Sequence, residues 1–94
     1  MKITFDPQKR EKTLRERAID FRYAELIFDG PNWTFQDRRF DYPKDRFITV
    51  GLLMNRMVSV VRTPTDDDNV RHIISMRKAN VREQTRYRDR LGQA

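Results

Sequence analysis

Seven basic residues crowd the stretch 71–90: Arg71, Arg77, Lys78, Arg82, Arg86, Arg88 and Arg90, opposed only by Glu83 and Asp89. A surplus held on so short a segment is an electrostatic footprint for phosphates. The planar arginine fork grips two phosphate oxygens at once. Other reactive types are scarce. His72 is the single histidine and cysteine is absent. No Ser-His-Asp set, glycine-rich phosphate loop, zinc spacing or paired-carboxylate motif occurs. Asp66-Asp67-Asp68 resembles half a calcium loop, but the glycine and distal glutamate of an EF-hand are missing. No metal or other cofactor is expected. The charge points to a polyanion, RNA first, with a solvated basic helix or a docking surface for an acidic chain as the plainer readings.

The elements that must hold these residues fit one domain of 94 residues with one modest core. No apolar run approaches the ~20 residues of a membrane span, and the N-terminus lacks a signal-peptide stretch. Lack of cysteine suits a reducing compartment, so a soluble, cytoplasmic chain away from membranes is expected. Met1–Phe5 alternates as a short strand. Asp6-Pro7 then caps and opens a charged helix reaching Ala18, with Leu14 and Ala18 as its thin seam. Asp20 caps a second helix in which Ala24, Ile27 and Phe28 share a face, and Asp29-Gly30-Pro31 stops it. Trp33–Phe40 reads as a strand. Arg46–Met54 and Met57–Thr63 form a hairpin around Asn55-Arg56, followed by a strand Val70–Arg77 and a helix Ala79–Leu91. The fold class is α+β: a four- or five-stranded, mainly antiparallel sheet, two N-terminal helices and a C-terminal helix.

Strand alternation sorts the side chains. With Met54 opposite Met57, Thr49 faces Arg62, and Ile48, Val50, Leu52, Met57 and Val61 make the core face. On the last strand Val70, His72, Ile74 and Met76 oppose Arg71, Ile73, Ser75 and Arg77. His72 thereby reads as a half-buried, hydrogen-bonded histidine rather than a general base. Arg62, Arg71, Ser75 and Arg77 would gather on the more open face as a concave arginine patch. Asn80-Val81-Arg82-Glu83 has capping-box spacing. The helix after it carries only Val81, Tyr87 and Leu91 as apolar residues, with Arg82 and Arg86 in an adjacent row.

Ile3-Thr4-Phe5-Asp6-Pro7, the Phe21…Ala24…Phe28-Asp29 helix, Arg46-Phe47-Ile48-Thr49-Val50-Gly51 and Val60-Val61-Arg62-Thr63 together resemble the BrnT toxins. These are the toxin half of bacterial type II toxin–antitoxin pairs, with a fold similar to the RelE ribonucleases. The most specific stretch is Ile73-Ile74-Ser75-Met76-Arg77-Lys78-Ala79, then Arg82-Glu83 and Tyr87. The family pattern there is Ile-Ile-Ser-Ala-Arg-Lys-Ala, then Glu-Arg and Tyr. Position 72, usually arginine in the family, is His72, and position 62, often histidine, is Arg62.

The resemblance implies a metal-independent endoribonuclease in which the RNA 2′-hydroxyl attacks the adjacent phosphate. Arg62 and Arg77 would stabilise charge, Tyr87 would transfer a proton or stack on a base, and Glu83 would orient Arg77 or act as base. Arg71, Lys78, Arg82 and Arg86 would hold flanking phosphates. The implied partner is an antitoxin with a ribbon-helix-helix DNA-binding part, so DNA would be met only through the complex. A non-catalytic module that binds nucleic acid or the antitoxin is the alternative.

Overall fold

A computed structural model describes residues 2–92; Met1, assigned above to the first strand, lies outside them. Strand β1 (Lys2–Phe5) leads into helix α1 (Pro7–Arg17), whose N-terminus is capped as expected by the Asp6 carboxylate accepting from the Gln8 N–H. A 3₁₀ turn (Phe21–Tyr23) and helix α2 (Ala24–Asp29) follow. Then come β2 (Asn32–Gln36), β3 (Phe47–Leu53), β4 (Arg56–Pro64), β5 (Val70–Lys78) and helix α3 (Val81–Tyr87), which runs into a π-type turn (Arg88–Gly92). The five strands form one sheet in the order β1-β5-β4-β3-β2, antiparallel except for the parallel β1–β5 pair. The fold is thus α+β with a mixed sheet. The second N-terminal helix is shorter than expected, a 3₁₀ turn taking its first residues.

Both faces of the sheet are covered, and this changes the sorting made from alternation. The 3₁₀ turn and α2 pack Phe21, Ala24 and Ile27 on Leu53, Val58, Val60, Ile73 and Met76, forming the larger core. The face carrying Val60 and Gly51, expected to be open, is this one. On the other face α3 sets Tyr87 and Ala79 against Ile48, Val50 and Val61. Helix α1 buries none of its side chains. It is held by polar bonds instead: Arg10 to Asp20 at 2.9 Å and Arg17 to the Met76 carbonyl at 2.9 Å.

The hairpin turn is Met54-Asn55, not Asn55-Arg56. Both residues are left-handed, with φ of 51° and 68°, the backbone of a type I′ turn. Leu53 therefore pairs with Arg56, and Arg62 stands opposite Phe47 rather than Thr49. The shift spans two residues along the strand, so each side chain keeps its face. On β5 alternation fails outright: Val61 pairs with Ser75 but Arg62 with Ile73, so Ile74 is bulged and the residues beyond it change face.

Helix α2 touches the sheet at Gly51, where a Cβ would lie 2.8 Å from the Ile27 Cγ2 and 3.3 Å from the Pro31 carbonyl oxygen. Ile27 is fully buried and cannot swing away. Gly51→Ala is therefore expected to cost about 1–3 kcal/mol by overpacking, read as a lower urea midpoint at unchanged slope.

Candidate active site

The β5–α3 corner carries the most constrained charge in the chain. Asn80 caps α3 by accepting from the Glu83 N–H at 2.8 Å, and the Glu83 carboxylate accepts in return from the Asn80 N–H at 3.0 Å. The spacing that signals this capping box also turns Glu83 inward, where it is only 6% exposed. There it accepts from the Ser59 hydroxyl at 2.9 Å and takes both ends of the Arg77 fork at 2.7 and 2.9 Å. Ser59 and Arg77 are cross-strand partners on β4 and β5, so the sheet register fixes the triad. Burial pushes the Glu83 carboxyl up, but the bonds from Arg77, the Asn80 N–H and Ser59 outweigh it and hold it below its usual value. Two of the five N–H donors of Arg77 serve Glu83, which leaves three for a ligand.

Arg77 opens into a cleft of about 380 Å³. Arg82, Glu83 and Arg86 line it from α3, Trp33, Phe35 and Ile48 from β2 and β3, and Arg38 and Arg39 from the turn after β2. Trp33 and Phe35, two apart on the sheet-edge strand, stack with ring centroids 4.4 Å apart. The turn owes its shape to Asp37, a buried carboxylate that accepts from Arg39 Nε and Nη2 at 2.9 Å and from the Tyr42 hydroxyl at 3.0 Å. Those bonds, Arg39 foremost, hold the Asp37 carboxyl well below the usual carboxylate range against the opposing effect of burial. Strand β2 ends at Gln36 because Asp37 folds Arg39 back, which is why Trp33–Phe40 is not one strand.

Of the residues singled out from sequence, Arg77, Arg82, Glu83 and Arg86 meet here. Tyr87 does not: it is 8% exposed and anchors α3 to the sheet. Lys78 is turned to a separate hollow with Arg56, Gln84 and Arg88. Arg62 and Arg71 lie on the opposite face of the sheet, over the Phe28 ring at 5.7 and 4.4 Å. Ser75 faces a hollow beside α1. The single concave patch of Arg62, Arg71, Ser75 and Arg77 is therefore not formed, because the bulge at Ile74 sends the two ends of β5 to different faces. His72 is half-buried and hydrogen-bonded as expected, its Nδ1 2.9 Å from the Thr4 hydroxyl, but it stands outside both cores. Sequence reasoning missed Trp33, Phe35, Arg38 and Arg39 as cleft residues. Two arginines directly after an aromatic-rich strand were the available signal.

Chemically, the cleft offers guanidinium groups around one floor position and an aromatic wall, while both its carboxylates are already spent on arginines. Among the described residues no group of three His, Asp or Glu side chains is placed to hold a metal ion, and no helix is long and apolar enough to cross a membrane. The search of curated proteins found no match to this chain. A family model described as "Ribonuclease toxin, BrnT, of type II toxin-antitoxin system" matches residues 5–83, the whole span from the end of β1 to Glu83. The chain belongs to the BrnT family of ribonuclease toxins from type II toxin–antitoxin systems.

Proposed function

We propose that this toxin cuts RNA in the Arg77 cleft, without a metal ion, by aligning the substrate's own 2′-hydroxyl with the adjacent phosphate. The observation that carries this reading is the Arg77–Glu83 clamp on the cleft floor. Positive charge aimed at a developing five-coordinate phosphate, and fixed before the reaction, is the largest contribution such a site can make. Arg82 and Arg86 would hold the neighbouring phosphates, Arg38 would close the cleft from the other side, and a splayed base would rest on Trp33. Glu83 acts as an orienter, since a carboxylate engaged by four donors and held below its usual value is a poor proton acceptor at pH 7. The toxin's place of action is the cytoplasm, where RNA and a ribbon-helix-helix antitoxin would compete for the basic surface.

Two measurements test this. Purified protein should cleave single-stranded RNA in EDTA and leave 2′,3′-cyclic phosphate ends; chelator-sensitive cleavage or 5′-phosphate products would refute it. Expression of the chain alone should arrest growth, and co-expression with the antitoxin should relieve it, with only the complex binding promoter DNA. The lack of an uncommitted carboxylate in the cleft favours a second reading, a toxin that coats RNA without cutting it. Intact RNA in the same assay, with growth still arrested, would select that one.

A further inference from the structure

Arg62 and Arg71 bring two guanidinium groups to one aromatic ring. Among the described residues Arg10 and Arg22 pair with Asp20, Arg39 with Asp37 and Arg77 with Glu83, all at 2.7–2.9 Å. Among the described residues no carboxylate lies within salt-bridge reach of Arg62 or Arg71. Instead their guanidinium groups share the Phe28 ring, 5.7 and 4.4 Å from its centroid, and Arg62 also lies 5.2 Å from the Phe47 ring. The Arg62 Nε is buried and has no hydrogen-bond partner. Burial first, and then the like charge of Arg71, push the Arg62 guanidinium below its usual value. Aromatic faces attract a cation but do not neutralise it. Among the described residues the pair therefore has aromatic partners but no counter-charge.

The arrangement is backed from beneath. Phe28 is packed onto the larger core at the end of α2, and Arg62 sits where the β4–β5 register shifts. The bulge turns Arg71 to the same face as Arg62 and away from Arg77.

We propose that Arg62 and Arg71, side by side over Phe28, form an oxyanion site that takes a phosphate group on the face of the sheet opposite the Arg77 cleft. A carboxylate matches one planar fork, whereas the tetrahedral oxygens of phosphate can be shared between two guanidinium groups. The phosphate is either a diester of a nucleic-acid strand or a free phosphate, and the two sources present the same chemistry. The site does not depend on cleavage in the cleft.

The test uses the purified full chain and compares its melting temperature in inorganic phosphate and in chloride at equal ionic strength. Phosphate should raise the melting temperature of the wild type. The rise should be mostly lost in Arg62→Gln and Arg71→Gln, and mostly kept in Arg77→Gln. Arg62→Gln should fold, because it removes one of two like charges; in chloride it should melt no lower than wild type. Arg62→Lys, which keeps the charge without the planar fork, should retain only part of the response. A second arm follows binding of a single-stranded oligoribonucleotide against salt. If the strand is the source, the Arg62→Gln/Arg71→Gln variant should lose about one unit of salt slope per lost contact. If its slope is unchanged while the phosphate response is lost, free phosphate is the ligand. A phosphate response as large in that double variant as in wild type overturns the site. If the response disappears only with Arg77→Gln, the cleft reading stands and this one falls. If an acidic peptide restores the melting temperature where phosphate does not, the ligand is a protein carboxylate and the proposal is wrong.

Discussion

Arg77→Ala is expected to slow RNA cleavage about 100-fold or more, the size of effect seen when one fixed donor is removed from a developing oxyanion. Sequence alone suggests little change in stability, because an arginine on a sheet face carries little of the core. The structure reverses that expectation. Removing Arg77 leaves the buried Glu83 carboxylate with only Ser59 and the Asn80 N–H. Orphaning a buried charge costs about 3–5 kcal/mol, reduced here to about 2 because Arg77 itself is partly exposed and two donors remain. The catalytic and stability effects separate in Arg77→Lys. An ammonium keeps the charge opposite Glu83 and most of the stability, yet cannot grip phosphate and carboxylate together as a planar fork does. Cleavage in Arg77→Lys equal to wild type would show that charge alone is enough and that the clamp geometry is irrelevant.

Glu83→Ala should be the most destabilising single substitution in α3, by about 2–4 kcal/mol. It removes the reciprocal half of the capping box, worth about 1 kcal/mol. It also strands the Ser59 hydroxyl, which is fully buried, at about 1–3 kcal/mol. Glu83→Gln is the gentler probe, since the amide oxygen can still accept from Ser59 and the Asn80 N–H. Its loss of activity should appear in kcat at near-constant RNA affinity, because Arg77 is present but unclamped. Combining it with Arg77→Ala should add almost nothing to the loss of rate, as two residues acting through one contact are not additive. The acid limb of stability gives an independent check. Folding holds the Glu83 carboxyl below its usual value near 4.5. Its contribution to stability is therefore complete above that value and lost as pH falls through the folded one. The stability gap between wild type and Glu83→Gln should be widest at neutral pH and close in acid. A gap that is constant down to pH 3 would mean that Glu83 is not the carboxylate that Arg77 holds.

Local signals were legible in the chain because their causes are local. The Asp6-Pro7 opening, the Asn80…Glu83 box and the stop at Asp29-Gly30-Pro31 each depend on neighbours a few residues away, and each stands where its residue types put it. The arginine patch was misread because face assignment depends on unbroken alternation, and the Ile74 bulge breaks it. Nothing in Ile73-Ile74-Ser75 announces a bulge, which shows only in the register of β5 against β4. The Met54-Asn55 turn escaped notice for a different reason. Met54 is a poor left-handed residue, tolerated there because the flanking strands dictate the turn. Tyr87 was placed in the site by the family resemblance alone; its own position on α3 makes it the anchor of that helix. Trp33 and Phe35 were visible as a strand but not as a wall, since the turn that brings Arg38 and Arg39 beside them is made by the single side chain of Asp37.

The parallel pairing of β1 with β5 sets the order in which this molecule becomes dangerous. Lys2 pairs with Val70 and Phe5 with Ile73, so the first strand has no neighbour until nearly all the others have been synthesised. Closing such a loop is slow compared with forming the β3–β4 hairpin. Arg77, Asn80 and Glu83 follow β5 or end it, so the charged floor of the cleft is the last part of it to be synthesised. A growing chain carries β2, β3 and β4, with their aromatic wall, before it carries Arg77. The wall of the cleft is thus made before its floor.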